Sequence, residues 1–83
     1  MPSHRDYLER FFVHLSQRDL AACDQFVSEM DTACLVDPLL QPWRDYCATI
    51  IIHERENDFG KAEALYRQLL QQPHLDDFLA GQI

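Results

Sequence analysis

Glycine and basic residues are scarce in this chain of 83 residues, and each shortage excludes a class of function. Only two glycines occur, Gly60 and Gly81, so the chain has no glycine-rich loop of the kind that binds phosphate. Seven Lys and Arg stand against 14 Asp and Glu, which gives a formal net charge of −7. Nucleic acid requires a basic face, so the sequence predicts no nucleic-acid partner.

Cysteines are few and long apolar runs are absent, which bears on the cellular compartment. Three cysteines, an odd number without regular spacing, do not form a disulfide framework and favour a reducing environment. No apolar run is long enough to cross a bilayer, and the N-terminus lacks an apolar signal core. We therefore expect a soluble, cytoplasmic protein without a membrane partner.

Residues that carry catalysis or bind metals do not occur at the spacing those functions need. The chain has four histidines, but none forms a pair with a third ligand at metal-binding spacing. His53-Glu54, for example, is not followed by a histidine four residues after the first. Nothing marks Cys23, Cys34 or Cys47 as an activated nucleophile. The sequence predicts no metal, no cofactor and no catalytic residue.

Helical spacing of apolar residues runs through most of the chain and predicts an all-α fold. Leu8, Phe11, Phe12 and Leu15, for instance, recur at intervals of three and four residues. We predict a helix from a Ser3 cap to residue 16, and others from 19 to about 31, 42–56, 58–72 and 75–82. Pro73 is expected to end the fourth helix. The connection over 32–41 is predicted to hold one short turn at Pro38–Leu40.

The chain repeats itself after 39 residues. Arg5-Asp6-Tyr7 aligns with Arg44-Asp45-Tyr46, and five of the 26 positions in 5–30 are identical to those in 44–69. The apolar positions agree more closely than the identities. A period between 20 and 50 residues is typical of stacked repeats. We therefore predict a single domain over 1–83, built from two stacked antiparallel helical hairpins (about 3–31 and 42–72) and a short C-terminal helix.

The stretch 57–73 resembles the second half of a tetratricopeptide (TPR) repeat. In that family an aromatic residue opens the second helix, a small residue follows, a large aromatic comes next and a proline closes the unit. Phe59, Ala62, Tyr66 and Pro73 occupy those places at similar spacing. The period of 39 is longer than the 34 residues of that family. Other repeats made of helical hairpins stay open as alternatives.

The resemblance implies a protein-interaction scaffold or adaptor whose partner peptide lies along the first helix of each hairpin. Carried over by position, that surface, called here the predicted trough, consists of Arg5, Leu8, Phe12, Leu15, Arg44, Cys47, Ile51 and Glu54. Its two arginines are expected near one end, where a pair of guanidinium groups can bind a carboxylate.

Three functional hypotheses follow. The first is a non-catalytic module that binds a peptide or helix on an apolar helical face. The second is a self-associating domain, such as a homodimer, that uses the same face or an open end at Leu75, Phe78 and Leu79. An interaction fragment of a larger repeat protein is a further alternative, because the 39-residue register starts a third unit at this end. The third hypothesis is a small enzyme or ligand sensor.

Overall fold

The computed structural model describes residues 4–72 and 75–82, and most residues in these ranges are helical. A 3-10 turn spans Pro38–Leu40, and the described residues contain no strand. The helices are α1 (His4–Ser16), α2 (Leu20–Cys34), α3 (Gln41–Glu56), α4 (Phe59–Leu70) and α5 (Asp77–Gln82). The predicted all-α fold is confirmed. The predicted cap Ser3 and the predicted stop Pro73 lie outside the described residues.

One aspartate caps the start of the second helix in each hairpin, as the sequence predicts. The carboxylates of Asp19 and Asp58 each accept a hydrogen bond of 3.0 Å from the amide three residues later. The preceding residues, Arg18 and Asn57, lie in the left-handed region with φ of 58° and 53°. A left-handed residue followed by a side-chain cap reverses the chain within a few residues. Helices α1 and α2, and likewise α3 and α4, therefore form antiparallel hairpins.

Helix α2 ends three residues later than predicted, at Cys34 instead of about 31. The added residues include no glycine or proline, so nothing in them interrupts the helical hydrogen bonds. The first proline after them is Pro38, where the predicted 3-10 turn occurs. Asp37 caps that turn, because its carboxylate accepts a hydrogen bond of 3.2 Å from the amide of Leu39. The connection between the hairpins is shortened accordingly.

Helix α3 is the centre of the molecule, packing on α1, α2 and α4. Burial of its apolar side chains accounts for much of the core, at about 1.5–3 kcal/mol for each large side chain removed from water. Among the described helices, none is both long and apolar enough to cross a membrane. The side chains of α3 that are buried in the core are Trp43, Tyr46, Cys47, Ile50 and Ile51.

The 39-residue repeat extends from the sequence to the backbone and the core. The left-handed residues, the helix caps and an aspartate turn all recur at this interval: Asp37 caps the 3-10 turn, and Asp76 accepts a hydrogen bond of 2.8 Å from the amide of Phe78. Buried positions recur as well, which means that both hairpins use the same pattern of internal contacts. The buried pairs include Leu8 and Cys47, Cys23 and Ala62, Met30 and Leu69, and Leu40 and Leu79.

Candidate interaction site

Three residues of the predicted trough lie in the core. Leu8, Cys47 and Ile51 are 2%, 0% and 6% exposed. Because α3 packs on both α1 and α2, the apolar side chains on these facing surfaces fill the interior of the protein. This corrects the prediction that the three residues contact a partner.

The rest of the predicted trough is a shallow groove beside the C-terminal half of α1. Phe12 and Leu15 are half-buried and line an open space of about 480 Å³. Glu54 borders the same space and forms an exposed ion pair with Arg18, at 3.5 Å between Arg18 Nη1 and Glu54 Oε2. Only this part of the predicted trough remains accessible as an apolar surface.

The two arginines of the predicted trough each make separate contacts within their own chain. Arg44 Nε lies 2.6 Å from a carboxylate oxygen of Asp31 on α2. The guanidinium carbon of Arg5 lies 4.1 Å from the centroid of the Phe78 ring, and its Nε is 3.7 Å from Glu9. Each cation is thus already engaged by an acid or an aromatic ring of its own chain. Neither arginine is left free of contacts within its own chain to form the predicted carboxylate clasp.

Helix α5 packs on its own chain. Leu79 is fully buried, and Phe78 stacks on Trp43 with ring centroids 6.2 Å apart. The hydroxyl of Tyr46 donates a hydrogen bond of 3.2 Å to a backbone carbonyl at the end of α5. Leu75 is partly buried against the same core. Leu79 therefore offers no surface to a second copy, which corrects its predicted role in self-association.

An apolar groove runs along α4. Phe59 and Leu70 are 67% and 50% exposed, and the half-buried Tyr66 lies between them on the same helical face. The ring of His53, from α3, meets that of Phe59 edge to face at 4.5 Å. We call this surface, with its space of about 340 Å³, the α4 groove; it is lined by His53, Phe59, Ala62, Glu63, Tyr66, Arg67 and Leu70.

The counterpart of the α4 groove in the first hairpin is covered by a helix. The residues of α2 that lie 39 positions earlier face α3, and two ion pairs join the helices there. Arg55 Nη2 is 2.6 Å from Asp24 Oδ2, and Arg44 Nε is 2.6 Å from Asp31 Oδ1. The α4 groove is therefore the position that a helix corresponding to α3 would occupy. The equivalent α2 residues are Leu20, Cys23, Asp24, Val27, Ser28 and Asp31.

A second apolar patch lies in the connection between the hairpins. Leu35, Val36 and Leu39 are 85%, 81% and 69% exposed. Leu39 corresponds in the repeat to Phe78, which packs on Trp43, whereas Leu39 has no equivalent contact to shield it from water.

The cysteine thiols are poor nucleophiles at neutral pH. Burial raises the pKa of Cys23, and it raises the pKa of Cys47 to about 12. The pKa of Cys34 is raised by burial first and then by the neighbouring carboxylates of Asp31 and Asp45. The thiolate is the reactive form, so all three side chains are mostly protonated. No group of three potential metal ligands occurs among the described residues.

No family model, curated protein or solved structure matches the chain. The likeness to TPR repeats accordingly rests on the residues in 57–73 and on the 39-residue repeat.

Proposed function

We propose that this protein is a non-catalytic interaction module that binds an amphipathic helix of another protein in the α4 groove. One observation carries the proposal: Phe59 and Leu70 are exposed on the face whose counterpart on α2 receives α3. A helix whose apolar side lies in an apolar groove is a common mode of peptide recognition. Burial of these side chains, together with Tyr66, would supply the affinity.

The proposal keeps the TPR-like scaffold or adaptor role implied by the resemblance and changes the binding surface. In the predicted trough, Leu8, Cys47 and Ile51 are buried in the core. In the α4 groove, the large apolar side chains are accessible. We also place the protein in a reducing compartment such as the cytoplasm. Support for this comes from the three cysteines, which are all unpaired.

A homodimer through the α4 groove is a second candidate, favoured by the symmetry of the charges on α4. Glu63 and Arg67 lie near the middle of the exposed face, with Phe59 towards one end and Leu70 at the other. Two antiparallel copies of α4 would place Phe59 against Leu70 of the partner and Glu63 near Arg67 of the partner. The net charge of −7 on each copy opposes this association, so we rank it second.

Binding of a synthetic peptide with the sequence of α3, residues 41–56, tests the proposal. We expect the dye-labelled peptide to bind the full chain in a fluorescence anisotropy titration. Tyr66 corresponds to Val27, which is buried in the first hairpin, so we expect Tyr66→Asp to weaken binding at least about tenfold while the helical circular dichroism is retained. Val13→Asp is the matched control, because Val13 is 55% exposed and lies on α1, outside the groove. Failure of the peptide to bind, or equal effects of the two variants, would overturn the proposal.

Light scattering distinguishes the second candidate in the same samples. A mass that doubles with concentration in the parent chain, and stays that of one chain in Leu70→Asp, would favour the homodimer. A single-chain mass at all concentrations, together with binding of the peptide, favours recognition of another protein.

A further inference from the structure

The contact of α3 with α2 provides a template for the helix that the α4 groove accepts. On the α2 side of α3, Cys47 and Ile51 are buried. Arg44 stands three residues before Cys47, and Arg55 stands four residues after Ile51. Arg44 pairs with Asp31, and Arg55 pairs with Asp24. The first arginine of α3 thus meets the end of α2, and the second meets its beginning. The two helices are antiparallel.

The acidic residue near the start of α2 is kept on α4, whereas the one near its end is replaced. Asp24 corresponds to Glu63, and Asp31 corresponds to the half-exposed Leu70. A helix that occupies the α4 groove therefore meets one carboxylate and one apolar side chain where α3 meets two carboxylates. A cation opposite Leu70 would lose its partner, while an apolar side chain there would be buried.

We propose that the α4 groove selects a basic amphipathic helix with a defined spacing, bound antiparallel to α4. The partner helix carries three apolar residues: the second comes three positions after the first, and the third comes four positions after the second. A Lys or Arg follows four positions after the third. That cation pairs with Glu63, and the first apolar residue packs on Leu70. The inference rests on the proposed function and adds the sequence class of the partner.

Glu63 is able to accept such a cation. Its present partner is Arg67 on the next turn of the same helix, with Arg67 Nη2 2.6 Å from Glu63 Oε1. The side chains of Glu63 and Arg67 are 62% and 72% exposed, and exposed pairs of this kind contribute little to stability. Exchange of Arg67 for a partner's cation therefore costs little. The net charge of −7 favours a basic partner in addition.

A second copy of this chain does not supply the required helix. The α1 residues that correspond to the template are Arg5, Leu8, Phe12 and Ser16. Leu8 is already buried in its own core, and Ser16, at the position of Arg55, has no charge to offer Glu63. Stacking of α1 of one copy on α4 of another would leave the carboxylate without a cation. The occupant is accordingly a helix that residues 1–83 do not supply.

A charge exchange between peptide and protein tests the inference. The parent peptide of residues 41–56 carries Arg55 at the position of the required cation. We expect Arg55→Glu in the peptide to weaken binding about five- to tenfold, and we expect Glu63→Lys in the full chain to restore most of the loss for that peptide. Glu29→Lys is the control, since Glu29 is an exposed acid on α2 away from the groove.

A second peptide tests the position opposite Leu70. Arg44→Leu in the peptide is expected to tighten binding about fivefold to the parent chain, with no gain in the Leu70→Asp variant. If Tyr66→Asp weakens binding of the peptides but Arg55→Glu and Arg44→Leu have no effect, the selectivity is wrong and the proposed function stands. If no peptide binds, both fail. Equal rescue by Glu29→Lys would show a general charge effect and would overturn the pairing with Glu63.

Discussion

At the scale of single residues, burial and the neighbouring charges decide what the cysteines can do. Cys23 and Cys47 have no exposed surface. Cys34 is partly accessible and lies near the carboxylates of Asp31 and Asp45. A raised thiol pKa means that less thiolate is present at neutral pH in the folded chain than in the unfolded chain. The sequence marks none of the three cysteines as activated, but it does not show that the carboxylates of Asp31 and Asp45, which come from different helices, lie near Cys34.

We predict that iodoacetamide modifies only Cys34 in the folded protein near neutral pH, and more slowly than a free thiol. The rate should rise as the pH increases, because the fraction of thiolate grows. Cys47, with a pKa of about 12, should react only after denaturation. Intact-mass spectrometry with peptide mapping measures the reaction at each site. Cys34→Ser is the control and should abolish labelling of the native state; rapid native labelling of Cys47 would contradict the structure.

At the scale of helices, local signals in the sequence predicted the hairpins, and long-range packing decided the surfaces. Asp19 and Asp58 mark helix starts because their side chains bond to nearby amides, a contact that needs no other element. Apolar periodicity located the inner face of α3 but did not state what covers it. The resemblance to TPR repeats places Cys47 and Ile51 on a partner surface, whereas both are buried where α3 packs on α1 and α2.

The α4 groove was within reach of the sequence but needed one further step. The 39-residue alignment places Phe59 and Leu70 on the α2 positions Leu20 and Asp31. Whether a face is covered depends on which helices lie beside it. Helix α3 packs on this face of α2, whereas among the described residues no helix packs on the corresponding face of α4. Only the packed arrangement identifies that difference.

Helix α5 tests how a short element is held by tertiary contacts. Leu79→Ala should lower the free energy of unfolding by about 2–4 kcal/mol, because it removes a fully buried side chain and leaves a cavity. The fluorescence of Trp43 should also change, since the adjacent Phe78 stacks on it. Urea denaturation measures the first effect and the emission spectrum the second. Leu70→Ala, at a half-exposed site, is the matched control and should cost less than about 1 kcal/mol.

At the scale of the whole molecule, the position of α3 makes the two hairpins one folding unit. Helix α3 belongs to the second hairpin, yet it packs on both helices of the first. Its ion pairs to α2, from Arg44 and Arg55, cross the same boundary. A chain of this size buries only a little over ~60% of the surface that its unfolded form exposes, so its stability depends on the apolar contacts between the hairpins. The core is continuous across the repeat.

Continuity of the core predicts a single cooperative unfolding transition. Trp43, which is 3% exposed at the junction of α3 and α5, and the far-ultraviolet circular dichroism of all helices should report the same midpoint in urea. Ile51→Ala should shift both signals together by the same amount, since this side chain lies between the hairpins. Val13→Ala, on the exposed side of α1, is the control and should leave both midpoints nearly unchanged. Separate midpoints would mean that one hairpin survives without the other, because a shared core cannot lose half of its contacts and keep the rest folded.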